Sequence, residues 1–185
     1  MTQAQLTVLA GPTAVGKGTV VAALTKRYPT LNVSVSATTR DPRPGELNGV
    51  HYYFVSAQEF DAMIERGDML EWALVHGKNK YGTPRGPVDE ALAAGKPVLL
   101  EIDLAGARQV RTNRPDAQFI FLAPPSWEEL ERRLIGRGTE GPEEQARRLA
   151  TARIELEAAS EFDHVVINDD VERAVDELAR LIGLE

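Results

Sequence analysis

A loop with the composition of a phosphate-binding site lies near the start of the chain. The hydrophobic and β-branched run Leu6–Ala10 leads into nine residues with three glycines and one lysine, and a helical pattern follows. In such loops backbone N–H groups point inward, the helix N-terminus adds its positive dipole end, and the lysine reaches the outer phosphates. A nucleoside triphosphate site is therefore predicted at Gly11, Pro12, Thr13, Ala14, Val15, Gly16, Lys17, Gly18 and Thr19.

The loop departs from the usual pattern after its lysine. Gly18 stands where most such loops have a Ser or Thr whose hydroxyl binds Mg²⁺. Two arrangements remain open. In one, Thr19 supplies a hydroxyl from the next position. In the other, Mg²⁺ is held largely by water and phosphate oxygens, which suits a cation that dehydrates reluctantly.

Composition excludes several other classes of protein. The 185 residues, 43% of them hydrophobic, suffice for one core and a small inserted subdomain. The chain has no cysteine and therefore no disulfide or thiolate zinc site, and its net charge of −7 argues against a nucleic-acid partner. No signal sequence is recognisable and the hydrophobic runs are too short to cross a bilayer, so we expect a cytoplasmic protein without a membrane partner. The sequence also lacks the Asn-Lys-x-Asp guanine reader of signalling GTPases, because its only Asn-Lys pair, Asn79-Lys80, continues with Tyr81 and Gly82.

Strand and helix signals alternate along most of the chain, which predicts an α/β fold with a parallel sheet covered on both faces. We predict strands at residues 6–10, 33–37, 98–102, 118–123 and 165–168. Helices are predicted at residues 17–27, 88–94, 127–135 and 142–160 and at the amphipathic C-terminus.

The middle of the chain has a different pattern. Short strands at residues 52–55, 70–75 and 79–81 are separated by tight turns and by a helix that a capping box opens at Ser56. We therefore expect a mostly antiparallel insertion at about 36–84. The core then comprises residues 1–35, 85–132 and 161–185, and a lid comprises about 133–160.

A segment stiffened by proline and glycine carries two arginines three positions apart, Arg40 and Arg43. Guanidinium groups match phosphate geometry, so both side chains of this pair can bind one phosphate, and Tyr52 can add a hydroxyl donor. Spacing alone leaves an ordinary exposed, charged loop equally open.

Taken together, these features resemble the guanylate kinases of the nucleoside monophosphate kinase group over essentially the whole chain. The stretches that carry the resemblance are residues 11–19, 36–46, 71–73, 81–83, 101–103, 136–139 and 167–170. The resemblance implies a P-loop three-layer core with a parallel sheet, an inserted GMP-binding subdomain and a helical lid. It also implies transfer of the γ-phosphoryl group of ATP to GMP, and to dGMP, with Mg²⁺, in purine nucleotide metabolism.

The resemblance also implies roles for individual residues. The GMP phosphate is assigned to Arg40, Arg43, Tyr52 and Tyr81, and the guanine to Ser36, Glu71, Thr83 and Asp103. The lid arginines are Arg133 and Arg137, with Arg148 on the next helix, and the ATP base lies near Asn168.

The chemistry of guanine supports the assignment of Glu71. Guanine offers N1–H and a 2-amino group, both of which a carboxylate can accept, whereas adenine has neither donor there. A site built on such hydrogen bonds can reject the wrong base by about 10⁴ to 10⁵. Asp103 has two open roles, as a second guanine acceptor or in ordering Mg²⁺-bound water.

Phosphoryl transfer requires mainly positioning and charge neutralisation, and a phosphate acceptor needs no general base. The predicted catalytic residues are Lys17, Arg40, Arg133, Arg137 and Arg148. Two alternatives remain: a non-catalytic module that binds a phosphorylated peptide, and a kinase with another acceptor.

Overall fold

The computed structural model describes residues 3–136, 138 and 140–185. Its strands are β1 (Leu6–Ala10), β2 (Asn32–Val33), β3 (Ala37–Thr38), β4 (Tyr53–Phe54), β5 (Met69–Val75), β6 (Asn79–Pro84), β7 (Val98–Glu101), β8 (Gln118–Ala123) and β9 (His164–Ile167). Its helices are α1 (Lys17–Arg27), α2 (Ala57–Glu65), α3 (Arg85–Ala93), α4 (Leu104–Asn113), α5 (Trp127–Ile135), α6 (Pro142–Glu157) and α7 (Val171–Ile182), with a 3₁₀ turn at Ala158–Glu161.

The central sheet has the strand order β2-β7-β1-β8-β9, and each neighbouring pair is parallel. Its core lies on both faces: α1 and α7 pack on one, α3 and α4 on the other. The predicted α/β fold with a covered parallel sheet is confirmed. In such sheets the carboxyl ends of the strands share one edge, so the segments after β1, β7 and β9 meet there.

A second sheet, with the order β4-β3-β6-β5, is formed within the middle segment. β3 runs parallel to β4, whereas the β3–β6 and β5–β6 pairs are antiparallel, so the sheet is mostly antiparallel, as predicted. A tight turn joins β5 to β6, with positive φ at His76 (53°) and Gly77 (63°) and a hydrogen bond from Lys78 N to Val75 O. Positive φ at both central residues is typical of a type I′ hairpin turn, which suits the twist of the strands.

Two sequence predictions need correction. The single strand predicted at residues 33–37 is wrong, because the chain passes there from one sheet to the other: Ser34 N donates to Leu99 O, and Ser36 O accepts from Tyr53 N. Helix α4 was not predicted. Its buried residues are Gly106, Ala107 and Val110, which leave a weak hydrophobic pattern. Among the described residues, no helix is long and apolar enough to cross a membrane.

Candidate active site

The phosphate loop of residues 11–19 closes around its own lysine. Lys17 begins α1, and its Nζ donates a hydrogen bond of 2.9 Å to the carbonyl oxygen of Gly11. Together with Glu101, the loop lines a cavity of about 390 Å³. Burial lowers the pKa of the Lys17 ammonium, and the negative charges of Glu101, Glu155 and Asp103 oppose that shift. The lysine is thus partly desolvated and ready to exchange a carbonyl partner for phosphate oxygens.

Two glycines of the loop have no room for a side chain. A Cβ on Gly11 would lie 2.4 Å from Leu122 O, and one on Gly16, which has a φ of 95°, would lie 2.9 Å from Asn168 Nδ2. The buried amide of Asn168 donates to Val15 O at 2.8 Å. Asn168 therefore shapes the loop, and its predicted place near the ATP base remains a prediction.

Ala14 occupies the left-handed region, with a φ of 68°. This conformation costs a residue with a Cβ about 1–2 kcal/mol. Its side chain packs against the cluster formed by Leu130, Leu134 and Ala152 of α5 and α6. The methyl group therefore connects the phosphate loop to the segment predicted as the lid.

Three of the predicted GMP phosphate residues, Arg40, Tyr52 and Tyr81, meet at the second sheet. Arg40 donates through Nη1 and Nη2 to the two carboxylate oxygens of Glu46, at 2.8 and 3.0 Å. The Arg40 guanidinium carbon lies 5.3 Å from the Tyr52 ring centroid, and the Tyr52 and Tyr81 rings are 5.9 Å apart. Arg43 has an exposed side chain, and its backbone N–H donates to Glu46 Oε1 at 2.7 Å.

Glu46 therefore holds both arginines of this segment, one by its side chain and one by its backbone. The Arg40 guanidinium and then the Arg43 backbone N–H lower the pKa of the Glu46 carboxyl to about 2. The side chains of Arg40 and Glu46 are only 15% and 17% exposed. A phosphate entering this site would meet a guanidinium whose orientation is already fixed.

Three of the four predicted guanine residues, Glu71, Thr83 and Asp103, converge at the first turn of α4. Glu71 is 8% exposed, and its Oε1 accepts a 2.8 Å hydrogen bond from Thr83 Oγ1, its cross-strand neighbour. Asp103 caps α4 by accepting from Gly106 N at 2.7 Å. A Cβ on Gly106 would lie 3.1 Å from both Glu71 Oε2 and Asp103 Oδ1, so the two carboxylates flank one point. Ser36 is half-buried immediately before β3.

Desolvation raises the pKa of the Glu71 carboxyl, and the Asp103 charge adds to the rise while the Thr83 hydrogen bond opposes it. Among the described residues, the Glu71 side chain accepts from the Thr83 hydroxyl and forms an ion pair with no cation. An ionised carboxylate in such a place is suited to a ligand with two N–H donors.

The arginines predicted for the lid lie in different places. Arg133 donates to Glu129 through Nε and to Val15 O through Nη1, both at 3.1 Å, so it reaches the phosphate loop. Arg148 pairs with Glu140 and Glu144 at 2.5 and 3.6 Å within the segment predicted as the lid. The predicted residue Arg137 lies outside the described residues.

Known proteins resemble this chain over nearly its whole length. The family model described as guanylate kinase matches residues 3–185. The guanylate kinase of Thermobifida fusca is 62% identical over 179 residues, which cover 97% of this chain and 91% of that protein. The chain belongs to the guanylate kinase family. A second guanylate kinase, from Leifsonia xyli, is 60% identical over 96% of this chain and 70% of its own length.

A crystal structure of guanylate kinase from Anaplasma phagocytophilum has the same architecture. The TM-score is 0.74 at 32% sequence identity, and the match covers 99% of this chain and 86% of the other. The predicted membership in the guanylate kinases is confirmed, and the chain is an enzyme of the nucleotide kinase class.

Two candidate site residues were not among those predicted from the sequence. Glu101 lines the loop cavity, and its position at the carboxyl end of a predicted parallel strand is the sequence signal that could have placed it there. Glu46 belongs to the arginine segment, but only the folded loop shows that it binds Arg40. Across the described part of the chain, no three Asp, Glu or His side chains converge into a metal site.

Proposed function

We propose that this member of the guanylate kinase family transfers the γ-phosphoryl group of ATP to GMP, giving ADP and GDP, in purine nucleotide metabolism. The observation that carries the choice of acceptor is the buried Glu71 carboxylate beside Asp103 at the first turn of α4. Guanine N1–H and its 2-amino group satisfy such acceptors, whereas adenine would leave a desolvated carboxylate without a donor. dGMP presents the same base and phosphate and is a substrate in this proposal.

Each reactant has its own part of the site. Lys17 and the backbone of residues 11–19 hold the ATP phosphates, with the ATP base near Asn168. Arg40, Arg43, Tyr52 and Tyr81 hold the phosphate of GMP, while Ser36, Glu71, Thr83 and Asp103 hold its base. In domain terms, the core of residues 1–35, 85–132 and 161–185 binds the donor, the insertion at about 36–84 binds the acceptor together with Asp103 of the core, and the lid at about 133–160 covers both.

The chain's residues act by position and charge. Lys17 neutralises the outer phosphates of the donor, and Arg40 fixes the attacking phosphate oxygen in line. Arg133 already contacts the loop by donating to Val15 O, and with Arg137 and Arg148 it neutralises the transferred phosphoryl group. The acceptor oxygen is largely deprotonated at neutral pH, so no side chain takes a proton.

The donor set near the loop fits Mg²⁺. Glu101 Oε1 lies 3.9 Å from the position of a Cβ on Gly18, where other loops carry the hydroxyl ligand. A carboxylate at that distance, with Thr19 or Asp103 nearby, suits a cation that keeps most of its waters. When bound, Mg²⁺ supplies neutralisation of the ATP phosphates. The absence of cysteine agrees with function in the cytoplasm.

A coupled assay of ADP formation tests the proposal. The full chain is incubated with ATP, Mg²⁺ and, in turn, GMP, dGMP, AMP, CMP and UMP. Turnover with GMP and dGMP far above the others is expected. No turnover with any acceptor would favour a phosphate-binding module instead, and faster turnover with AMP or UMP would overturn the guanine assignment.

A further inference from the structure

The strand that carries Glu71 lies at the edge of the second sheet, and two amide side chains of α4 bind to the backbone of that edge. β5 is the last strand of the second sheet, and within the described part of the chain its one strand partner is β6. On its other side Gln109 Oε1 accepts from Trp72 N at 3.0 Å, and Gln109 Nε2 donates to Trp72 O at 2.9 Å. Asn113 Nδ2 donates to Leu70 O at 2.8 Å. These side chains take the place of a neighbouring strand, whose backbone would otherwise make these hydrogen bonds.

The three hydrogen bonds bracket the guanine acceptor. Leu70 and Trp72 are the two neighbours of Glu71, so the backbone on both sides of it is fixed to α4. Gln109 and Asn113 are four residues apart and therefore lie on one face of the helix. We call this pair of side chains the amide latch.

Helix α4 carries the other half of the guanine site as well. Asp103 caps its N-terminus, and a Cβ on Gly106, one turn before Gln109, would lie 3.1 Å from an oxygen of each carboxylate. Because one helix holds Asp103 directly and Glu71 through the amide latch, the separation of the two carboxylates depends on how β5 docks on α4. An acceptor pair must match two donors on one edge of a rigid base, so small shifts in this separation change recognition.

We propose that Gln109, supported by Asn113, is a positioning residue that sets the Glu71 carboxylate at the spacing guanine requires. This inference rests on the proposed function of the site. Hydrophobic contacts hold the same two elements together, because Leu70 packs in one buried cluster with Ala107 and Val110. Loss of the amide latch therefore leaves β5 docked on α4 but free to shift along it.

The test compares Gln109→Leu and Asn113→Leu with the parent enzyme in steady-state kinetics with GMP, IMP and ATP. IMP has the N1–H but lacks the 2-amino group, so it reports on only one of the two base donors. For Gln109→Leu we expect the KM for GMP to rise about tenfold with kcat within about threefold of the parent. The preference for GMP over IMP falls, and the KM for ATP is unchanged. Asn113→Leu, which removes one hydrogen bond, shifts the same quantities less.

Two further variants sharpen the result. Gln109→Glu keeps the acceptor for Trp72 N–H but sets a carboxylate oxygen against Trp72 O, so repulsion raises its KM for GMP at least as much as Gln109→Leu does. Arg108→Ala is the matched control, because its partner is Glu161, at 2.8 Å, and not β5; its kinetics stay at the parental values.

A folded Gln109→Leu or Asn113→Leu enzyme with a lowered Tm but parental GMP KM and parental GMP-to-IMP preference would overturn the positioning role. A parent enzyme that does not phosphorylate GMP would instead overturn the proposed function itself. The two failures are therefore distinguishable in one set of assays.

Discussion

The Arg40 guanidinium and the Glu46 carboxylate form a doubly hydrogen-bonded ion pair, with Nη1–Oε1 and Nη2–Oε2 distances of 2.8 and 3.0 Å. Glu46 Oε1 also accepts from the backbone N–H of Arg43, so one carboxylate is hydrogen-bonded to both arginine residues. A planar guanidinium has five N–H donors, and those not used by Glu46 or by Asp41 O remain for a phosphate. The pair therefore orients Arg40 before GMP binds.

Glu46→Gln tests this orientation. The amide can accept only one of the two Arg40 hydrogen bonds and carries no charge, so the guanidinium gains rotational freedom. We expect the KM for GMP to rise roughly tenfold with the KM for ATP unchanged, since a charge-assisted pair is replaced by a neutral hydrogen bond. Steady-state kinetics with each nucleotide varied in turn measures both values.

Arg40→Ala is the reference for that variant and should weaken GMP use more than Glu46→Gln does, again with ATP binding spared. Equal losses for the two nucleotides in either variant would contradict the assignment.

Because the pKa of Glu46 is lowered to about 2, its ion pair with Arg40 persists as the pH falls to about 4. The pair contributes fully above the ordinary carboxyl pKa, and its contribution is lost as the pH falls toward 2.

The pKa of the Glu71 carboxyl is shifted in the opposite direction to that of Glu46, because burial raises it. A protonated Glu71 loses an acceptor for the guanine donors. The KM for GMP is therefore expected to rise as the pH is lowered through this raised pKa, while the KM for ATP stays flatter. Glu71→Gln removes the part of that pH dependence that Glu71 contributes, leaving the part due to the GMP phosphate itself, and lowers kcat/KM for GMP by at least about 100-fold. A pH series of initial rates measures both effects.

The same pKa shift has a consequence for stability. Above the ordinary carboxyl pKa of 4.5 the folded state holds the Glu71 proton more tightly than the unfolded state does. The free energy of unfolding of the parent therefore decreases as the pH rises from the ordinary carboxyl pKa through the raised pKa of Glu71. Glu71→Gln lacks this decrease. The Tm of Glu71→Gln relative to the parent is expected to increase between about pH 4 and pH 7. A constant Tm difference would show that burial of the charge is not destabilising.

Motifs that are contiguous in the chain were predictable from the sequence, and contacts between distant segments were not. Lys17 and its loop depend on nine consecutive residues, so their spacing alone placed them. The pairing of Glu71 with Thr83 depends on the register of a hairpin, which a list of strands does not specify. Family resemblance, and not periodicity, placed these two residues together.

Helix α4 shows why a local pattern can fail. Its face toward β5 includes the polar residues Gln109 and Asn113 beside Ala107 and Val110, so the hydrophobic period is weak. The helix is held by an N-cap and by side-chain hydrogen bonds to a strand more than 30 residues earlier in the chain, as the separation of 37 between Trp72 and Gln109 shows. Asp103 was predicted as a binding residue, and its use of one oxygen for capping appears only in the folded chain.

Gly106→Ala tests the space between the two carboxylates. Its Cβ would lie 3.1 Å from Glu71 Oε2 and Asp103 Oδ1, so at least one carboxylate must move by a few tenths of an ångström. Alanine is a better helix former by about 1 kcal/mol, so the fold is retained. We expect a several-fold higher KM for GMP with the KM for ATP unchanged.

Gly86→Ala is the matched control for that substitution. Gly86 also lies in a helix, α3, and a Cβ there meets no atom within 4 Å. It gains the same helix propensity without touching the site, so its kinetics should equal those of the parent. If Gly106→Ala has parental KM values for GMP, the carboxylates are not held at the spacing described above.

Ala14→Gly separates backbone strain from lid packing in the phosphate loop. Removal of the methyl group relieves a left-handed conformation that costs about 1–2 kcal/mol, but glycine also gains about 0.4–1 kcal/mol of conformational freedom in the unfolded chain. Loss of the contact with the cluster of Leu130, Leu134 and Ala152 lowers the free energy of unfolding by roughly a further 0.8 kcal/mol.

His76→Gly provides the comparison, because His76 is exposed and has a φ of 53°. Denaturant unfolding should show His76→Gly stabilised by about 0.5 kcal/mol and Ala14→Gly lower than it by roughly 0.8 kcal/mol. Equal stabilisation by the two substitutions would mean that the Ala14 methyl group contributes nothing to the contact between the loop and the lid.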